Sequence, residues 1–185
     1  IKFLREIVLV VLIILSLLTT KKQVRTDNKY SWTPIIEVAV LFLGIFTTMV
    51  PTMMYLKANA ASWGLDSPWQ FYYLTGVMSS FLDNAPTALA FHGVASGLTP
   101  DTVAAIGGNI VADIPEILLK AISVSAVFFG AMTYIGNGPN FMVKSIAEEN
   151  GIKMPSFFGY MIKFSLIILL PVYVLTQVIF LWLLA

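Results

Sequence analysis

One polar stretch, Ser79-Ser80-Phe81-Leu82-Asp83-Asn84-Ala85-Pro86-Thr87, stands in the middle of an otherwise membrane-like apolar run. It brings a carboxylate, an amide, three hydroxyls and a proline together in nine residues. Lipid has no water to solvate such groups, so a carboxylate at membrane depth is expensive and marks function by default. The proline also frees backbone carbonyls that then need partners. The stretch reads as a helix break that binds an ion.

The surrounding composition makes the membrane reading necessary. Of 185 residues, 58% are hydrophobic and only 11% charged, with a mean hydropathy of +0.85. Soluble domains carry roughly a quarter charged residues, so the chain reads as an all-α polytopic membrane protein. A net charge of +1 argues against a nucleic-acid partner. No cysteine and a single histidine, His92, exclude disulfides, thiolate metal sites and multi-histidine metal sites. No nucleophile–base pair or phosphate-binding loop is present, so an enzyme is not expected, nor is a cofactor. The chain starts at Ile1 directly in apolar sequence, as expected of a piece of a longer protein; its first span is not organised as a signal peptide.

The first span runs from Phe3 to Thr20. Lys21 to Lys29 follows with four basic residues against one acid, which places that loop in the cytoplasm. Trp32-Thr33-Pro34 opens a second helix from Ile35 to Lys57, with a kink expected at Pro51. Glu37, Gly44 and Thr48 share one face of it, which should look into protein. Glu37 reads either as an interfacial acid favoured by the helix dipole or as part of an ion path.

After a turn, Ser67-Pro68 caps a helix beginning at Trp69. The run to Gly97, broken at Asp83–Pro86, is either one interrupted span or a re-entrant hairpin. Loop charge favours the hairpin. Leu98 to Asp113 holds Asp101 and Asp113 but no Lys or Arg, whereas the later loop holds Lys144 and Lys153, with Lys163 beyond. A hairpin puts the first outside and the second inside, as the positive-inside rule prefers.

Thr99-Pro100-Asp101 should start a short surface helix ended by Gly107-Gly108-Asn109. Asp113-Ile114-Pro115-Glu116 reads as an N-cap followed by an acid, with Glu116 and Lys120 spaced as a surface pair. The helix is expected to continue to Tyr134 and break at Ile135-Gly136-Asn137-Gly138-Pro139-Asn140. It should resume from Phe141 to Glu149, and a last span should run from Phe157 to Trp182. A helix from Asp113 to Ile135 would be about 34 Å long, too long to place this second break at the membrane midplane.

Each break exposes bare carbonyls on one half-helix and bare amides on the other, the arrangement that builds substrate sites in secondary transporters. Na⁺ asks for hard oxygen ligands. The first break offers Ser79, Ser80, Asp83, Asn84 and Thr87, and the second Thr133, Gly136, Asn137 and Asn140. Asp83 is the natural residue to exchange a proton for a cation. His92 reads as a packing histidine or a proton relay to Asp83. The methionines Met49, Met53 and Met54 read as lipid and packing surface.

On these two motifs, Ser79–Thr87 and Gly130-Ala131-Met132-Thr133-Tyr134-Ile135-Gly136-Asn137-Gly138-Pro139-Asn140, the chain resembles the ion transporter superfamily. That group includes NhaD-type sodium/proton antiporters, ArsB-like pumps, and citrate and divalent-anion/sodium symporters. The chain looks closest to bacterial citrate-transporter-like sodium/proton antiporters, essentially throughout its length, as their C-terminal half. The resemblance implies scaffold helices over 3–57, a re-entrant hairpin over 68–97, a broken helix over 113–150 and a final span over 156–184. It further implies a missing inverted N-terminal repeat, a homodimer in the bacterial cytoplasmic (inner) membrane, and an elevator-type movement.

One departure matters. The carboxylate-binding symporters carry Ser-Asn-Thr at the hairpin tip, where this chain has Asp83-Asn84-Ala85-Pro86-Thr87. An anionic Asp83 repels a dicarboxylate and favours Na⁺(or Li⁺)/H⁺ antiport, with Na⁺ held by Asp83, Asn84 and Asn137. The alternatives are a sodium-coupled citrate or dicarboxylate symporter, and a membrane scaffold in which both breaks are structural.

Overall fold

The computed structural model describes residues 3–28 and 32–183. It forms two units, Ile1–Gly44 and Ile45–Ala185.

In the first unit, α1 (Leu4–Thr19) carries an exposed Arg5–Glu6 pair in its first turn, is almost wholly apolar beyond it, and buries no residue. That suits a helix whose neighbours are lipid chains. The basic segment after it winds into a short helix, α2 (Lys22–Asp27). Arg25 Nη2 reaches back to Ser16 O at 3.1 Å and serves one of the carbonyls left bare near the end of α1. α3 (Thr33–Asn59) runs on through Pro51 and contributes its second half to the other unit. The side chain of Glu37 lies outside the described residues.

In the second unit, a 3₁₀ turn, Ala60–Trp63, closes on Gly64 at φ 63°. Gln70 Oε1 then accepts from the backbone N–H groups of Asp66 and Ser67, at 2.9 and 3.1 Å, and fixes the start of α4 (Pro68–Ser79). The polypeptide turns through Ser80–Asp83 and returns as α5 (Asn84–Ala95). Phe71 in the first turn of α4 meets Phe91 in the last turns of α5, with ring centroids 6.5 Å apart. The two helices therefore form an antiparallel hairpin with its tip at the polar stretch.

Three glycines set how closely this hairpin is packed. A Cβ on Gly76 would lie 2.5–2.7 Å from the Phe129 ring. On the return arm, Gly93 of α5 faces the Met53 methyl group, and Gly97 in the turn after α5 lies against the Lys57 carbonyl, so glycines let this arm approach α3 closely. Met53 is thus packing surface against protein.

α6 (Pro100–Ile106) follows, its N-terminus capped by Thr99 Oγ1, which accepts from Thr102 N at 3.3 Å. The expected N-cap at Asp113 is not formed. Instead β1 (Ile110–Val111) pairs antiparallel with β2 (Ile114–Pro115) around a two-residue turn, Ala112-Asp113, with φ of 52° and 67°. Positive φ at both central positions is the type I′ geometry that matches strand twist. α7 (Glu116–Phe129) starts only after this hairpin. Its Glu116 accepts from Lys120 Nζ at 3.2 Å and from Asn109 Nδ2 at 3.3 Å, and both contacts hold the carboxyl below its usual range, Lys120 more strongly.

α7 is the central element, packed on both arms of the helical hairpin. Leu118, Ala121, Ile122 and Phe129 face Phe71, Tyr72 and Val94 in one buried cluster. Its 14 residues make about 21 Å of helix, which removes the length problem posed by a helix reaching Ile135. After a 3₁₀ turn, Gly130–Met132, the backbone unwinds and then re-forms as α8 (Gly138–Glu149). The last element, α9, is continuous over Phe157–Trp182, with i→i+5 bonded stretches at Met161–Leu169 and Val178–Leu183. Among the described residues it is the helix long and apolar enough to cross a membrane.

Candidate functional site

The two breaks meet. At the hairpin tip Ser79, Ser80 and Thr87 are buried, and at the unwound link so is Thr133. Thr133 is the organiser of the link. Its hydroxyl donates to Ser80 O while its oxygen accepts from Ile135 N at 3.2 Å and Gly136 N at 3.0 Å. One side chain thus substitutes for the helical bonds that residues 133–136 have lost.

Gly136 sits where nothing larger fits. A Cβ there would lie 2.6 Å from Gly130 O, 2.7 Å from Ser80 O and 2.9 Å from Ser79 O. Three carbonyls from two separate breaks therefore converge on one small volume, the donor chemistry of a hard-cation site.

Asn84 crosses from tip to link. With its nitrogen turned toward the carbonyls, Nδ2 donates to Ala126 O at 2.9 Å and Gly136 O at 3.1 Å, and lies 3.0 Å from Ser79 Oγ. Oδ1 then accepts from Asn137 Nδ2 at 3.2 Å. The reverse orientation would leave Oδ1 with Ser79 Oγ as donor at 3.0 Å and set an oxygen against two carbonyl oxygens, so hydrogen-bond logic selects the first.

The carbonyls at the end of α7, and those of the turn and link that follow it, are covered in turn by side chains from other elements. Ser79 Oγ donates to Ala126 O at 2.5 Å, Tyr173 to Phe128 O at 2.6 Å and Ser80 to Phe129 O at 3.3 Å. Asn140 Nδ2 serves Gly130 O at 2.9 Å and Thr133 O at 3.2 Å. Tyr160 covers Ala131 O at 3.0 Å and Ser165 covers Met132 O at 2.6 Å. A helix can end inside an apolar environment only if its orphan carbonyls find such partners. Tyr160, Ser165 and Tyr173 carry no mark in the sequence.

The remaining candidates stand apart. Asp83 is exposed and caps α5, its Oδ1 accepting from Asn84 N at 2.7 Å. Adjacent residues thus face opposite ways, the carboxylate out and the amide in. Thr87 Oγ1 donates to Asp83 O at 2.9 Å and is spent on the helix turn. His92 lies about 13 Å along α5 from Asp83 at 1.5 Å per residue, and its Nε2 holds Ala112 O at 2.8 Å. Among the described residues no three His, Asp or Glu side chains gather, so a cation bound here would rely on carbonyl and amide oxygens.

No curated protein and no solved structure matches the chain. One family model does, over residues 1–181, and its description is "Putative citrate transport". With a match across nearly the whole chain, two helix breaks meeting at polar groups and an apolar exterior, the chain belongs to the putative citrate transport family of membrane transporters.

Proposed function

We propose that the chain forms the C-terminal half of a secondary active transporter that exchanges Na⁺ for H⁺. The observation that carries this reading is the convergence of Ser79, Ser80 and Gly130 carbonyls on Gly136, beside a hairpin tip bearing Asp83. Carbonyl oxygens suit a small hard cation. A neighbouring carboxylate can take a proton in one state and offset a cation's charge in the other. In this reading α4 and α5 enter and leave the bilayer from the outer side. The link at Thr133–Asn137 and a second, inverted half complete the site, and the protein works as a homodimer in the bacterial cytoplasmic membrane without enzymatic activity. Asn137 is proposed as the side-chain ligand alongside the carbonyls, and Asp83, exposed at the tip, as the titrating charge that exchanges proton for cation.

A second reading is favoured by the family description: sodium-coupled uptake of citrate or a related anion. There Asn137 and the Gly138 amide at the start of α8 would receive a carboxylate, since Pro139 has no N–H and the Asn140 amide is bonded to Asn137 O.

Vesicles containing the full-length protein separate the two. Under antiport, a Na⁺ pulse dissipates a preset pH gradient, and citrate changes nothing. Under symport, labelled citrate accumulates with Na⁺ and no proton is released. Neither response would leave the scaffold reading in possession.

A further inference from the structure

We infer that Asn84 is a positioning strut that holds the hairpin tip to the unwound link, and that it does not ligate the transported cation. The inference rests on the cation-transport reading above, but it makes a claim about the fold that can be tested without transport. Its ground is the direction in which this one side chain is held. Both Nδ2 hydrogens have carbonyl acceptors, Ala126 O at 2.9 Å and Gly136 O at 3.1 Å, and Oδ1 is engaged by Asn137 Nδ2 at 3.2 Å. The donor end, not the oxygen, is turned to the converging carbonyls, and Oδ1, the one atom of a primary amide that could take a cation, is turned to Asn137 instead.

The surroundings leave the amide little freedom. Gly130 lies against the Asn84 amide so closely that a Cβ there would overlap it, and the same Cβ would be 3.2 Å from Gly136 O. Ser79, which sits 3.0 Å from Nδ2, is itself fully buried and bonded to Ala126 O. Asn84 therefore sets the spacing between Ser79–Ser80 and Gly136, the very carbonyls proposed to take the cation. A ligand would face the ion; this amide faces the backbone that would hold it.

Replacing Asn84 by Asp separates strut from ligand by the sign of a pH effect. An ionised Asp at this position has no N–H or O–H to give and points oxygens at Ala126 O and Gly136 O. Protonated, it regains one donor. For a strut, the melting temperature of N84D measured without Na⁺ should therefore fall as pH rises from 5 to 8.5, against a flat wild-type baseline. The Na⁺-induced rise in melting temperature, with choline as control, should be no larger than wild type. For a ligand the outcome reverses: stability without Na⁺ stays at the wild-type level, and the Na⁺-induced rise grows with pH as the carboxylate ionises. That second pattern would overturn the inference.

If N84D does not fold at any pH, Asn84→Gln decides. It keeps the amide and lengthens the reach by one methylene. Lost stability in the absence of Na⁺ supports the strut, and wild-type stability with an altered Na⁺ response overturns it. A wild-type protein that shows no Na⁺ response at all would refute the cation-transport reading, while the pH dependence of N84D in choline would still judge the strut.

Discussion

Thr133 and Ser80, 53 residues apart in sequence, are joined by a hydrogen bond from the Thr133 hydroxyl to the Ser80 carbonyl. The same oxygen accepts from the amides of Ile135 and Gly136. Thr133→Val keeps the shape and removes all three bonds, leaving backbone groups unpaired where no water reaches. The expected loss is roughly 1–3 kcal/mol, read as a fall in melting temperature in detergent, with Thr133→Ser close to wild type. A Val variant as stable as wild type would show that the link is held elsewhere.

Gly76 tests the packing of α4 on α7. A Cβ at this position would meet three Phe129 ring atoms at 2.5–2.7 Å. Phe129 is fixed from other sides by Tyr72 and Tyr173, at centroid distances of 5.5 and 4.4 Å. The ring cannot give way, so Gly76→Ala should cost about 1–3 kcal/mol by overpacking. Adding Phe129→Leu should recover part of that loss, and a cycle of the three variants measures how much.

The helical hairpin, α6, the Glu116–Lys120 pair and α9 were legible because each is written locally. Ser67-Pro68 and Thr99-Pro100 open helices, and Asp83-Asn84-Ala85-Pro86 breaks an apolar run. The Ile110–Pro115 strands were not legible. Their turn places Ala112 and Asp113 at positive φ, and alanine carries no signal for that conformation. The end of α7 was set at Tyr134 by the apolar run but lies at Phe129, because what ends it is not local. Tyr173 captures the Phe128 carbonyl from α9, and Tyr160, Ser165 and Asn140 hold the carbonyls from Gly130 to Thr133 just beyond the helix. Asp83 and Asn84 were read as one ligand set, and a sequence gives no way to see that adjacent side chains at a helix start face opposite directions.

His92 holds the β-turn, with Nε2 at 2.8 Å from the Ala112 carbonyl. A carbonyl only accepts, so Nε2 carries the proton. His92→Phe should release the turn, and hydrogen exchange at Val111, Ile114 and Glu116 should quicken. Gln can donate over a similar reach and should restore protection. A shifted pH profile of ion exchange in His92→Gln, with the turn still protected, would instead give His92 a proton-carrying role.

Glu116 makes the N-terminal end of α7 sensitive to acid. Its carboxyl titrates below the usual range because Lys120, and then Asn109, bind the ionised form. A depressed value in the folded state means stabilisation that is present above the unfolded-state value and lost as pH falls through the folded one. The group is exposed, so the effect should be small and weakened by salt. Glu116→Gln should melt slightly below wild type at neutral pH, and the difference should vanish once the carboxyl is protonated. A gap that persisted in acid would mean the side chain acts through packing.

Asp83 allows charge to be separated from structure. Its Oδ1 accepts from Asn84 N and caps α5, and asparagine caps as well as aspartate. Asp83→Asn therefore keeps the helix start and removes only the titratable charge, whereas Asp83→Ala loses both and should cost about 1 kcal/mol of stability. If the carboxylate alternates between proton and cation, Asp83→Asn should melt like wild type yet leave a preset pH gradient untouched by a Na⁺ pulse in vesicles. Asp83→Glu should retain some exchange, with a changed pH dependence. Full exchange in Asp83→Asn would transfer the proton step to another residue and leave Asp83 as a helix cap.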